Sequence, residues 1–189
     1  VWLNWIRIPV LLPIWEKLQP LKRPLALVLV LCGAGVGIYT GVLLSTMQAR
    51  PFWNSNVMGV LFMTSGLTAG TATAMLIARL DHEKRMLATV LTGTITVELV
   101  LLFLFVLGHA TGGAMGQEMV HLLLGGEMTM HFLVFDIAIG LLAPLALVVA
   151  QLGGWARYTP FAPLLALFGG LMLRFTMVEG GLLTKWLPY

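Results

Sequence analysis

Charge is what this sequence has least of: only 10% of its 189 residues are Asp, Glu, Lys or Arg, where soluble domains carry about a quarter. With 59% hydrophobic residues and a mean hydropathy of +0.94, that scarcity excludes an ordinary soluble domain. Cysteine is nearly absent too. The single one, Cys32, excludes an internal disulfide, a CxxC site and a cysteine-ligated cluster, and it is expected as a small buried residue among glycines. The chain also lacks a basic patch. Its net charge of +3 comes from residues flanking apolar runs, so nucleic acid is excluded as a partner. The sequence opens at Val1 with neither methionine nor a signal-peptide pattern, and further sequence upstream is expected.

What the chain has is apolar length. Five runs, roughly 24–48, 56–79, 87–110, 129–151 and 161–182, lie near the ~20 residues that carry a helix across hydrocarbon, not the ~10-residue alternation of an outer-membrane barrel. The fold class is therefore all-α integral membrane, a helical bundle with at least five transmembrane helices over residues 24–189. Residues 1–23 hold Trp2, Trp5, Pro9, Pro13, Trp15 and Pro20. Proline breaks long helices and tryptophan favours the interface, so the end of an earlier helix and an interfacial connection are expected there.

Basic residues orient the spans. Arg7, Lys17, Lys22 and Arg23 precede the first, Arg79, Lys84 and Arg85 separate the second from the third, and Arg157 separates the fourth from the fifth. The opposite side carries only Arg50 and Lys185. The positive-inside rule makes the first side cytoplasmic, and the turn after the first span faces outward. His82, within Asp81-His82-Glu83-Lys84-Arg85, is placed in a charged cytoplasmic loop. Between the third and fourth spans, Gln117-Glu118-Met119-Val120-His121-Leu122-Leu123-Leu124 reads as a short amphipathic helix on the outer surface. The Gly37-x-x-x-Gly41 and Gly66-x-x-x-Gly70 spacings permit close helix contact, and packing alone explains such glycines.

Ionisable groups within spans face a bundle interior or a water path, because hydrocarbon penalises them. Glu98 lies near the middle of the third span, Asp136 about two turns below the outer end of the fourth, and Arg174 at similar depth on the fifth. Tyr39 shares that layer on the first. Asp136 and Arg174 are expected within hydrogen-bonding reach; whether as a structural ion pair or in proton or quinone chemistry stays open. Glu98 is expected buried without a basic partner and is the stronger proton-path candidate. His109 and His131 end and begin their spans; two facing histidines can ligate a haem, but solvated or capping histidines are commoner at helix ends.

Tyr39-Thr40-Gly41-Val42-Leu43-Leu44, Ala49-Arg50-Pro51-Phe52-Trp53-Asn54, and the helix through Ser65-Gly66 and Ala69-Gly70 resemble the NrfD-like family, the membrane subunits of polysulfide reductase and its relatives. Leu167-x-Gly169-Gly170-x-x-Leu173-Arg174 is similar to that family's last helix, so the resemblance covers residues 24 to about 182. It implies the C-terminal part of a subunit of eight or more helices, arranged as two four-helix bundles without haem, in the inner (cytoplasmic) membrane of a bacterium or archaeon. It also implies exchange of electrons between a quinone, menaquinone or ubiquinone, and a ferredoxin-like iron–sulfur subunit that serves a molybdopterin-type catalytic subunit. Tyr39 falls at the family's quinone site, other parts of which come from a first helix this chain does not contain. Relatives also occur in alternative complex III, where acids within helices are discussed as proton-path residues, the role that Glu98 and Asp136 would take. The sequence thus points to a quinone-linked membrane subunit of a respiratory oxidoreductase. Its rivals are a proton-conducting subunit without its own quinone site, using Glu98, Asp136 and Arg174, and a purely structural anchor.

Overall fold

The computed structural model describes residues 21–47 and 50–184. Most of the Trp- and Pro-rich segment 1–23, with Arg7 and Lys17, lies outside the described residues, as do Ala49 and Lys185. Among the described residues seven helices follow one another: α1 Lys22–Ser45, α2 Met58–Ile77, α3 Asp81–Ala110, α4 Gly113–Leu124, α5 Met130–Leu142, α6 Ala143–Leu152 and α7 Phe161–Leu183. A short 3-10 turn, Pro51–Trp53, joins α1 to α2. The described residues contain no strand. Helices α1, α2, α3, the continuous α5–α6 and α7 are each long and apolar enough to cross a membrane. The chain is a multi-pass membrane protein of the expected helical class.

Helix α3 begins earlier than its apolar run. Asp81 and Glu83 occupy its first turn, where carboxylates complement the partial positive charge of a helix start. The charged segment around His82 is therefore helical rather than a loop. The stretch 113–124 is a helix as expected, with Gly116, Met119 and Leu123 buried along one stripe. Gly113, at φ 81°, turns the chain into it through a left-handed conformation that glycine adopts freely.

Helix α5 departs from a simple span. Its turns are π-type, and the amide of Ala143 bonds the carbonyl of Ala138 five residues back. Pro144 follows and has no N–H to give an α-helical bond, so the widened turns end at a residue that could not have continued the ordinary ladder.

Two compact units are recognised, with the boundary between Val36 and Gly37 inside α1. In the first, Cys32 is exposed, contrary to the expectation of a buried thiol: its neighbours Val30 and Leu31 also face outward. In the second, the core joins Met58 and Leu61 of α2, Leu91, Ile95 and Leu102 of α3, and Ala166, Leu173 and Met177 of α7. On α3 the buried positions Leu91, Ile95, Glu98, Leu102, Phe105 and His109 recur every three or four residues, one continuous face. Glu98 sits in the middle of that face, and His109 ends it.

Glycine sets two close approaches. A Cβ on Gly41 would lie 2.5 Å from the Cα of Gly59, so the first glycine motif does bring helices together. Gly140 of α5 and Gly169 of α7 touch backbone to backbone, and a Cβ on either would strike the other. The second motif behaves differently. Gly66 and Gly70 face open space, and their small size closes no contact among the described residues.

Candidate functional site

Glu98 is 1% exposed, as its place on the buried face of α3 requires. A carboxyl there needs donors, and α2 supplies them from one face, three residues apart. Thr68 Oγ1 lies 2.7 Å from Glu98 Oε2, closer than its other contact, the Thr64 carbonyl at 3.1 Å. Ser65, fully buried, stands close to the same carboxyl. On the far side of Ser65 stands Arg174 of α7, whose Nη1 is 3.4 Å from Ser65 Oγ and donates to the Gly170 carbonyl at 2.6 Å. Arg174 is near enough to act electrostatically on Glu98. From sequence, Glu98 is left without a basic partner; Arg174 of the fifth span is a basic neighbour that binds Ser65 and the Gly170 carbonyl rather than the carboxyl itself.

Asp136 completes the group. It is 0% exposed, neither of its oxygens has a hydrogen-bond partner, and Glu98 is within electrostatic range. The expected Asp136–Arg174 pair does not form. Equal depth is necessary for such a pair but not sufficient; angular position decides it. Arg174 turns toward α2 and its own helix backbone, while Asp136 lies within the π-type turns of α5, whose wider register re-aims side chains relative to an α-helix. Three spans, α3, α5 and α7, thus bring two carboxyls and a guanidinium into one buried neighbourhood. Ser65 and Thr68 were missed as site residues. The available signal was two hydroxyls at i and i+3 on a span at the depth of Glu98.

The Arg50-Pro51-Phe52-Trp53 turn has a structural task. Arg50 Nη1 donates to the carbonyls of Leu182 at 2.9 Å and Thr184 at 2.8 Å, satisfying groups at the end of α7 that have no partner within the helix. Trp53 Nε1 donates to the Met177 carbonyl at 2.7 Å. Phe52 and Trp53 lie against Gly180 and Gly181, leaving no room for a Cβ at either glycine. The turn fastens the start of α2 to the end of α7.

Tyr39 stands apart from these groups. It is 65% exposed, so the described part of this chain leaves most of the ring open. The two histidines weighed as a facing pair have separate surroundings. His109 lies 4.5 Å from the Phe105 ring and 6.0 Å from Phe52, whereas His131 lies 5.9 Å from Phe135 and 5.6 Å from Phe175. No group of three or more metal-ligating side chains occurs among the described residues.

The family model described as polysulphide reductase, NrfD matches residues 2–185. The chain belongs to the NrfD family. It is 31% identical over 182 residues to the C subunit of polysulfide reductase from Wolinella succinogenes, covering 90% of this chain and 57% of that protein. It is 28% identical to protein NrfD of Escherichia coli, covering 96% of this chain and 60% of that one, and 29% identical to the NrfD homolog of Haemophilus influenzae, covering 88% and 55%. The chain thus spans little more than half the length of these relatives. No solved structure gives a significant match.

Proposed function

We propose that this chain is part of a quinone-reactive, haem-free membrane subunit of a multi-subunit respiratory oxidoreductase. The observation that carries the reading is the gathering of Glu98, Asp136 and Arg174 inside the helical bundle of a member of the NrfD family. Quinone chemistry moves protons together with electrons, and buried carboxyls, one of them held by a threonine hydroxyl, are groups that can hold and pass a proton. The subunit exchanges electrons with a ferredoxin-like iron–sulfur partner that serves a molybdopterin-type catalytic subunit, in the cytoplasmic membrane of a bacterium or archaeon. Tyr39 offers its phenol to a quinone carbonyl. Its openness in this chain supports a pocket completed by residues beyond the described ones.

That same openness favours one second reading, a proton-conducting subunit in which quinone reacts elsewhere. Two substitutions in the intact complex separate them. Tyr39→Phe keeps the ring and deletes the donor, so quinone-dependent turnover falls while electron transfer among the peripheral subunits from a non-quinone donor is spared. Quinone turnover and inhibitor affinity unchanged in that variant would remove Tyr39 from the site. Glu98→Gln keeps the size and deletes the titratable group: assembly survives and proton-coupled turnover drops. Unchanged coupling would return Glu98 to a structural role.

A further inference from the structure

A second polar feature lies at the other end of the buried face of α3. Where α3 meets α4 and the chain entering α2, there is a cavity of about 430 Å³. Its lining combines Asn54, Ser55, Asn56 and His109 with the thioethers Met115 and Met119. None of the described residues lining it carries a formal charge.

His109 is the side chain without an explanation. It is 8% exposed, its Nδ1 is 2.9 Å from the Phe105 carbonyl, and its Nε2 is buried with no partner. A carbonyl only accepts, so Nδ1 carries the proton and Nε2 is left as an acceptor. An unmet acceptor in a buried imidazole is costly. His109 lines the cavity, and Nε2 is the ring nitrogen that no protein group engages.

We propose that this cavity binds a neutral hydroxylated ring headgroup of the quinol class, at a site separate from Tyr39; the choice of quinol rests on the quinone-linked reading above. A quinol hydroxyl donates to His109 Nε2. The amides and hydroxyl of residues 54–56 can meet the opposite oxygen, and the two methionines supply the adaptable apolar contact that thioethers give rings. The absence of a cation among the lining residues disfavours a phosphate headgroup, which binds through Arg, Lys or helix amides.

The test is anaerobic binding of a tail-less naphthoquinol to the intact complex, followed by tryptophan fluorescence. A Cβ on Gly108, also at this cavity, meets nothing within 4 Å, so Gly108→Leu fills space without forcing the protein apart and should abolish the part of the binding that belongs to this cavity. His109→Asn places an amide donor near the Phe105 carbonyl but lacks Nε2, and should weaken binding about tenfold, the effect of one lost hydrogen bond. Tyr39→Phe should leave the Gly108-sensitive part of the binding unchanged. Binding that survives both cavity substitutions but is lost with Tyr39→Phe overturns this site while sparing the quinone-linked reading. No naphthoquinol binding to any form of the complex overturns both.

Discussion

Removing one hydroxyl donor tests how the buried cluster is held. Thr68 is 2% exposed and its hydroxyl is 2.7 Å from Glu98 Oε2. Valine matches threonine in shape, so Thr68→Val creates no cavity and leaves a buried carboxyl oxygen short of a donor, a cost of about 1–3 kcal/mol. Thr68→Ser keeps the hydroxyl and loses a methyl, which costs about 0.5–1.5 kcal/mol when the surroundings cannot close in. Valine should therefore be the more damaging change, although it preserves more volume. Unfolding of the purified intact protein in mixed micelles measures the stabilities, and proton-coupled quinone turnover of the complex follows the same variants. If Thr68→Val is as stable as wild type while Thr68→Ser is weaker, packing dominates and the hydrogen bond has been misassigned.

The remaining predictions address the frame around that cluster. Because Asp136 and Arg174 are not paired, Arg174→Met should destabilise the protein whether or not Asp136 is replaced by Asn, and a loss that disappears in the Asp136→Asn background would restore the ion pair. Gly140→Ala or Gly169→Ala, each forcing a methyl into the facing backbone, should cost the intact protein about 1–3 kcal/mol as overpacked sites do, whereas Gly66→Ala, facing open space, should be nearly neutral; equal effects would contradict the α5–α7 contact. Asn54, exposed beside the turn before α2, should react as cysteine, in a background with Cys32 replaced, with an impermeant reagent from the outer side; labelling from the cytoplasm alone would invert the topology.

The five spans were legible because a membrane helix announces itself by length and hydropathy, and the buried stripe of α3 because its spacing repeats every three or four residues. Glu98 stood out for the same reason: a carboxyl among Leu91, Ile95 and Leu102 has nowhere exposed to go. Its partners were harder to see. Depth along a span can be counted from sequence, but the angle between two helices cannot, and the π-type turns of α5 shifted Asp136 away from the partner that depth alone suggested. The role of Arg50 was hidden for a different reason, since the carbonyls it caps belong to residues 132 and 134 positions away. Glycine motifs were half legible. The spacing of Gly66 and Gly70 equals that of Gly37 and Gly41, yet only the second pair finds a helix opposite within the described chain. The His109 cavity depends on α4 folding back until Gly116 meets the His109 carbonyl, a tertiary event with no local signature.

The central claim, that quinone reacts at this subunit, is tested most directly by photolabelling the intact complex with an azidoquinone and mapping the adduct by mass spectrometry. Saturable label on the α1 segment around Tyr39, displaced by unlabelled quinone and reduced in Tyr39→Phe, is the predicted result. Label that falls only on other subunits, or that excess quinone does not displace from this chain, would contradict it.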